Sequence, residues 1–179
     1  SGSGQIAGAG GILKQGSGSL TVANSGNTFA GGVSIEQGTV QVGNGGATGD
    51  LGPGGIANLG TLALNRSDSF TLANTVSGNG AITKSGAGTA TVPVSGDSTG
   101  SVTVNAGVLL LAPGGSSTFS GNVTGGGTFG LNGVGTLMLS GLGNGYSGGT
   151  GISNGTLQFG DAAGDGALPP AGNINGNGP

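Results

Sequence analysis

A short extended unit recurs along this chain and limits the folds that it can adopt. Alternating runs begin at Leu20, Val40, Leu62, Ile82 and Val102, so successive runs are 20, 22, 20 and 20 residues apart. In each run the apolar side chains fall on one face of a strand and polar or small side chains on the other. A fixed period of this size is typical of a solenoid, in which each unit covers the apolar face of its neighbour.

This period fits one turn of a parallel β-helix. Two or three strands of a few residues each, joined by glycine turns, account for the length of one unit. Because neighbouring strands are about 4.8 Å apart, a chain of this length predicts roughly seven coils in a rod of about 30 Å. The predicted fold is all-β, a parallel β-helix without substantial α-helix.

A longer repeat is superimposed on the short one. Residues 14–22, 84–92 and 131–139 share the pattern x-x-G-x-G-[ST]-[LA]-x-[VL], with lysine at the first position of two segments and Leu131 in the third. The first two segments start 70 residues apart and the last two 47 residues apart. We therefore expect one copy to carry about one additional turn, over residues 56–72.

The composition is compatible with an ordered solenoid. Glycine accounts for 48 of 179 residues, a level that would indicate disorder if no period were present. The period is present, and each turn needs several bends at which glycine tolerates positive φ better than any other residue. A low-complexity disordered linker is therefore the least favoured alternative.

Charge and residue usage exclude several classes of function. The chain has three cations against six carboxylates and a pI near 4.2, so no electrostatic footprint for nucleic acid is present. It contains no cysteine and no histidine, which removes thiolate chemistry, the usual general base and the commonest metal ligand. The longest apolar run, residues 108–112, is too short for a membrane helix.

The ends carry no recognisable targeting signal. Residues 1–10 have neither a basic segment nor an apolar segment of a signal peptide, and we predict that they form a flexible lead or a cloning remnant. We predict that residues 11–179 form a single β-helix segment, a fragment of a longer protein.

The carboxylates are the candidates for chemistry, and their spacing argues against it. Paired catalytic carboxyl groups of glycosidases lie about 5 Å or 6.5–9.5 Å apart. Asp50 and Asp165 occupy comparable loops but are about five turns apart, hence roughly 25 Å. Asp50 and Asp68 are about one turn apart and can approach each other near Arg66, where we predict a solvated surface cluster.

An acidic loop near the C-terminus is the other candidate. Asp161 and Asp165 could offer oxygens to Ca²⁺ together with backbone carbonyls. No tandem calcium-binding motif accompanies them, so we interpret the segment as an ordinary acidic loop. The sequence thus predicts no catalytic residue, no metal site and no cofactor, and it assigns no binding residue.

Outward and aromatic positions complete the survey. We interpret the outward central positions of the strands as an irregular series and not as the threonine ladder of ice-binding solenoids: Thr21, Gln41, Ala63, Thr91, Leu110, Met138 and Gln158. Exposed Leu110 and Met138 are candidates for an association patch. We expect the aromatic residues in the core or at corners and not on a sugar-binding platform: Phe29, Phe70, Phe119, Phe129, Tyr146 and Phe159.

The motifs as a set resemble the passenger-associated transport repeat of Gram-negative autotransporters. The set comprises K-x-G-x-G-[ST], then N-x-[YF]-x-G-G-[TV] at residues 27–33 and 144–150, then x-x-G-T-[LV]-x-[VF]-G. Residues 97–101 depart from it, because they lack the aromatic residue and the second glycine. The resemblance implies a right-handed β-helix passenger segment that is secreted or displayed on the surface of a Gram-negative bacterium. It also implies an outer-membrane translocator barrel as a partner in the full-length protein.

Two classes of function follow from these observations. The first is a non-enzymatic structural segment that acts as adhesin or stalk and as a template for folding during export. Its partners would be a host or neighbouring cell surface, or further copies of itself, and not nucleic acid. The alternative is a carbohydrate-active β-helix enzyme or a glycan-binding module, with Asp50 and Asp68 as the residues near which a sugar would bind.

Overall fold

A computed structural model describes residues 4–160, 168–169 and 173–176, and all of the regular elements in these ranges are β-strands. The strands are β1 (Ile12–Lys14), β2 (Ser19–Val22), β3 (Val33–Ile35), β4 (Thr39–Val42), β5 (Ile56–Asn58), β6 (Thr61–Leu64), β7 (Phe70–Thr71), β8 (Val76–Ser77), β9 (Ala81–Lys84), β10 (Thr89–Val94), β11 (Val102–Val104), β12 (Val108–Pro113), β13 (Ser116–Phe119), β14 (Val123–Gly125), β15 (Thr128–Leu139), β16 (Gly145–Tyr146), β17 (Thr150–Phe159) and β18 (Ile174–Gly176).

These strands form a parallel β-solenoid with three faces. The second face is a seven-stranded sheet in the order β16-β14-β11-β9-β6-β4-β2. An eleven-stranded sheet supplies the other two faces and bends around the corner between them. The first face contains β1, β3, β5, β8, β13 and the C-terminal halves of β15 and β17. The third contains β7, β12, β18 and the N-terminal halves of β10, β15 and β17.

The predicted fold is confirmed. All strand pairs are parallel, and the solenoid has about eight turns, close to the predicted seven. Each described strand pairs with strands of the adjacent turns, as β4 does with β2 and β6. The backbone hydrogen bonds therefore run along the long axis of the rod, from one turn to the next.

The predicted column of apolar residues lies on the inside of the second face. Leu20, Val40, Leu62, Ile82 and Val102 pair in this order across five strands. Val40 and Leu62 are fully buried, whereas Leu20, in the first strand of this sheet, is 36% exposed. Each inner residue is thus covered by the equivalent residues of the turns on either side, which removes its apolar surface from water.

Glycine is required where the turns stack at a corner. A Cβ atom placed on Gly100 would lie 2.1 Å from the carbonyl oxygen of Gly80, and one on Gly121 would lie 2.1 Å from that of Gly100. Non-bonded atoms cannot approach so closely, so a side chain at either position would push successive turns apart. The glycine content thus reflects close backbone approach as well as bends with positive φ.

The copies of the longer repeat lie on different faces. Lys14 ends β1 on the first face, Lys84 ends β9 on the second, and Leu131 lies in β15 on the third. Paired residues of adjacent turns are about 20 positions apart, so offsets of 70 and 47 residues exceed whole numbers of turns by about one third. Each copy therefore begins one face further around the rod, and the additional turn predicted over residues 56–72 holds β5, β6 and β7.

This rotation corrects the interpretation of the outward positions. Thr21, Gln41 and Ala63 lie on the second face, Thr91 and Leu110 on the third, and Met138 and Gln158 on the first. They form no single column. Leu110 and Met138 are half-buried, so the predicted association patch is wrong in its residues, because the strand of the neighbouring turn flanks each side chain. The strongly exposed apolar side chains include Leu13, Leu59, Val134 and Leu142.

The N-terminal lead makes backbone contacts with the solenoid. The Thr28 amide donates to the Ile6 carbonyl and the Ala30 amide donates to the Gly8 carbonyl, each at 2.9 Å. The domain boundary at residue 10 stays a prediction. Within the described ranges no helix is long and apolar enough to cross a membrane.

Substitution of Leu62 by alanine tests the inner column. We expect Leu62→Ala to lower the free energy of unfolding by about 2–5 kcal/mol, because it leaves a cavity between two turns. Thr83→Ala, on the outward side of the same sheet, should cost less than about 1 kcal/mol. Urea denaturation followed by circular dichroism measures both, and equal losses for the two variants would contradict the inner position of Leu62.

Candidate functional site

Two lysines of the repeat point into the solenoid at its corners. Lys14 pairs with Ile35 on the inside of the first face and Lys84 with Leu64 on the inside of the second. The Lys14 ammonium donates to the carbonyl oxygens of Gln15 at 2.7 Å, Gly16 at 2.6 Å and, one turn on, Gln37 at 3.3 Å. Its charge is therefore solvated by backbone carbonyls.

Lys84 repeats this arrangement in a more buried setting. Its side chain has no solvent exposure, and its ammonium donates to the carbonyl oxygens of Gly86 and, at 3.5 Å, Ala106 in the next turn. Burial lowers the pKa of Lys84 from its ordinary value, since removal from water disfavours the charged form. The third copy has Leu131 here, also fully buried, so the corner accepts either an apolar or a carbonyl-bound ammonium side chain.

The asparagine of the N-x-[YF] motif links turns. The Oδ1 atom of Asn27 accepts from the Ile6 amide at 2.8 Å, and its Nδ2 atom donates to the Asp50 carbonyl at 2.8 Å. In the other copy, the Oδ1 atom of Asn144 accepts from the Val123 amide at 2.8 Å. The asparagine side chain thus extends the backbone ladder at a corner, where the strands are interrupted.

The aromatic residue of the same motif fills the core. Phe29 and Tyr146 are 2% and 1% exposed. The Tyr146 ring lies 5.5 Å from the Phe129 ring at 56°, and its hydroxyl lies 2.6 Å from Thr150 Oγ1. Burial raises the pKa of Tyr146 above its ordinary value, and the hydrogen bond with Thr150 acts in the opposite direction.

The remaining aromatic residues fit the expected placement in most cases. Phe119 and Phe129 are buried, Phe159 packs against the core and is half-buried, and Phe70 is half-buried beneath Arg66. In the segment that departs from the motif, Asp97 Oδ1 still accepts from the Thr118 amide of the next turn at 2.7 Å. These residues build the core and its corners.

Asp50 is engaged with the turn that precedes it. Its two carboxylate oxygens accept from the backbone amides of Gly26 at 2.6 Å and Asn27 at 3.0 Å. Asn27 returns a hydrogen bond to the Asp50 carbonyl. The two residues therefore clamp adjacent turns together.

Arg66 and Asp68 form the predicted ion pair. The Arg66 guanidinium donates two hydrogen bonds to the Asp68 carboxylate, at 2.9 and 2.7 Å, and this contact lowers the pKa of Asp68. The guanidinium also donates to the carbonyl oxygens of Gly49 at 2.6 Å and Ala47 at 2.9 Å, and it lies 4.4 Å from the centre of the Phe70 ring. It thereby fixes the loop that carries Asp50.

The structure does not bring Asp50 and Asp68 to one substrate. Asp50 is bonded to amides of the preceding turn, whereas Asp68 is bonded to Arg66 of its own turn. The absence of a catalytic role stays a prediction. Asp161 and Asp165 lie outside the described residues. Within those residues no group of three or more potential metal-binding side chains occurs.

A groove along the first face was not found from the sequence. It has a volume of about 680 Å³ and runs across β1, β3, β5 and β8 beside Gly31 and Gly55. A second cleft of about 380 Å³ continues it towards β13, and the two share Thr75 and Ser95. The alternation of small outward residues is visible in the sequence, but the concave shape depends on how the corner between the third and first faces opens.

Comparisons with known proteins agree with the motifs. The model of the passenger-associated-transport-repeat family matches residues 12–42, 82–111 and 131–159, which together make up half of the chain. The chain belongs to this family. The matched ranges coincide with the three copies that lie on successive faces of the solenoid, so the family motif encodes corners and strands and not one whole turn.

A long adhesin contains a related segment. The adhesin BmaC autotransporter of Brucella suis biovar 1 (strain 1330) is 34% identical over 158 residues, which are 87% of this chain and 4% of that protein. The chain thus spans a small fraction of the curated relative that it matches. No solved structure matches the chain. The predicted autotransporter passenger is confirmed, and with it a location outside the Gram-negative cell, secreted or at its surface.

Replacement of Lys84 tests the charged corner through the pH dependence of stability. The pKa of Lys84 is lower in the folded chain than its ordinary value of 10.5. The unfolded chain therefore binds the proton more tightly, so this side chain adds stability above pH 10.5 and loses it as the pH falls through the folded-state pKa. We expect Lys84→Met to fold, and its stability relative to the parent chain to fall as the pH is raised from 7 to about 10.5.

Urea denaturation at several pH values measures this difference. Tyr146 titrates in both chains and cancels, because its folded-state pKa is raised in each. Leu131→Met is the matched control at the uncharged corner, and its stability relative to the parent chain should not change with pH. A pH-independent difference for Lys84→Met would show that the ammonium is not the strained group.

Proposed function

We propose that this segment is a non-enzymatic structural part of the exported passenger of an autotransporter adhesin. The observation that carries the proposal is the continuity of the solenoid through all three family motifs, from Ile12 to Phe159. The name of the relative from Brucella suis supports the adhesin role. A rigid rod of stacked turns holds a binding surface away from the cell, which suits a stalk or an adhesin.

The proposal includes a role in folding during export. A completed turn exposes a row of unpaired backbone N–H and C=O groups, onto which the next strand can add. Each described strand pairs with strands of adjacent turns, and the side chains of Lys14, Asn27 and Asp50 bond to backbone groups one turn away. Folding can then proceed turn by turn on a template, without contacts to distant parts of the chain.

An enzymatic role has less support. The carboxylates of Asp50 and Asp68 are held by backbone amides and by Arg66, and neither is oriented towards the other. Product release from a glycan panel would favour the enzyme alternative, and we expect none. The relevant partner would be a host or neighbouring cell surface, met by outward side chains.

Truncation tests the template. We expect removal of residues 126–179 to lower the yield of refolding of the remaining chain, because the remaining turns lose the edge on which they assemble. Recovery of β-structure after dilution from urea, followed by circular dichroism, measures the yield. A truncation that leaves residues 1–81 intact but ends within the second face, after Val104, serves as a comparison, and unchanged refolding of both would contradict templating.

Deletion in the full-length protein tests the adhesin role. We expect loss of this segment to reduce adherence of the bacteria to host cells, while the amount of passenger at the cell surface is matched by antibody labelling. A second deletion of equal length elsewhere in the passenger controls for rod length. Adherence that falls equally in both deletions would indicate a stalk, and unchanged adherence would contradict both roles.

A further inference from the structure

The groove on the first face has the dimensions of a site for a linear polymer. Its floor is the outward column Leu13, Ser34, Ala57 and Ser77, whose members pair in this order in β1, β3, β5 and β8. Ser95 follows one turn on, since its neighbour Val94 pairs with Val76. With about 4.8 Å between turns, the joined clefts extend over roughly 24 Å along the rod.

The lining of this groove restricts the charge of its occupant. Both clefts are lined by glycine, serine, threonine, alanine, proline and aliphatic residues, with no charged and no aromatic side chain among them. The ion pair of Arg66 and Asp68 belongs to the corner at Phe70 and does not line either cleft. A sulfated or uronic acid polymer would lose its hydration without gaining a counter-charge, so the lining favours a neutral ligand.

The hydroxyl groups recur with the period of the solenoid. Ser34, Ser77 and Ser95 supply hydroxyls from the floor and Thr75 supplies one from the side. A hydroxyl can donate one hydrogen bond and accept two, which complements the alcohol groups of a sugar. The spacing between turns is close to the length of one pyranose unit in an extended chain, so successive units would meet equivalent environments.

We propose that this groove binds a linear neutral polysaccharide along the axis of the rod. Leu13, which is 57% exposed at one end, offers an apolar surface to the C–H face of a ring. The small side chains of Ala57 and Ser77 leave the groove open in its middle, and the glycine backbone at Gly31 and Gly55 lets the ligand approach closely. This inference rests on the proposed adhesin role and names the class of ligand for it.

Titration calorimetry with neutral hexasaccharides tests the groove. The probes are cellohexaose, maltohexaose and xylohexaose, with hexagalacturonate as the charged comparison. We expect at least one neutral probe to bind, more tightly than its own trisaccharide and with little dependence on salt, because no charge lines the site. Hexagalacturonate should bind at least about tenfold more weakly than the best neutral probe.

Two alanines of the same turn provide matched variants. Ala57 lies outward in β5 on the first face, within the groove, and Ala63 lies outward in β6 on the second face. Ala57→Arg should weaken binding by at least about tenfold, whereas Ala63→Arg adds the same charge and should change it less than twofold. Ser77→Arg is a second blocking variant, and circular dichroism checks that each chain keeps its β-structure.

The outcomes separate this proposal from the adhesin role. The groove proposal is overturned if no neutral hexasaccharide binds, if the two arginine variants bind alike, or if an extended peptide competes while sugars do not. If deletion of the segment abolishes adherence but Ala57→Arg leaves it intact, the adhesin role stands and the groove proposal fails. If hexasaccharides bind and deletion leaves adherence unchanged, the groove stands and the adhesin role fails.

Discussion

The fold depends on one interaction, the ladder of backbone hydrogen bonds between successive turns. Because the ladder runs along the rod, every strand must match the register of the turn before it, and its inward side chains then fall into columns. Val40, Leu62 and Ile82 meet this requirement with apolar side chains of similar size. Gly100 and Gly121 meet it by having no side chain where the turns approach most closely. Sequence period, composition and core are therefore consequences of the same constraint.

Polar residues inside the solenoid continue the ladder where strands end. At a corner the backbone carbonyls of a turn diverge, and some would remain without donors in the interior, which costs free energy. Lys84 supplies an ammonium to such carbonyls, and Asn27 supplies both a donor and an acceptor to adjacent turns. The corner at Leu131 shows that an apolar side chain is also accommodated, so these residues adjust corners and do not determine the fold.

The sequence predicted the inward column and the parallel stacking, because both follow from a period of about 20 residues. It did not predict how the turn divides into three faces, since strands of all three share the same alternation. For this reason Thr91 and Met138 were assigned to one column although they lie on different faces. The contact of Arg66 with the loop of Asp50 was predicted only as proximity, because loop geometry is not encoded in strand periodicity. The groove depends on the angle of a corner, about which the pattern carries no information.

The offset between repeat and turn has a consequence for function. Since each copy of the repeat starts about one third of a turn beyond a whole number of turns, equivalent corners such as those at Lys14 and Lys84 project in different directions around the rod. A ligand that recognised the repeat itself would therefore bind on all sides and gain no continuous surface. A continuous surface arises only where different segments place small residues in the same column, as Ser34, Ala57 and Ser77 do. Recognition by this passenger is then a property of outward columns, which can change independently of the corners that build the solenoid.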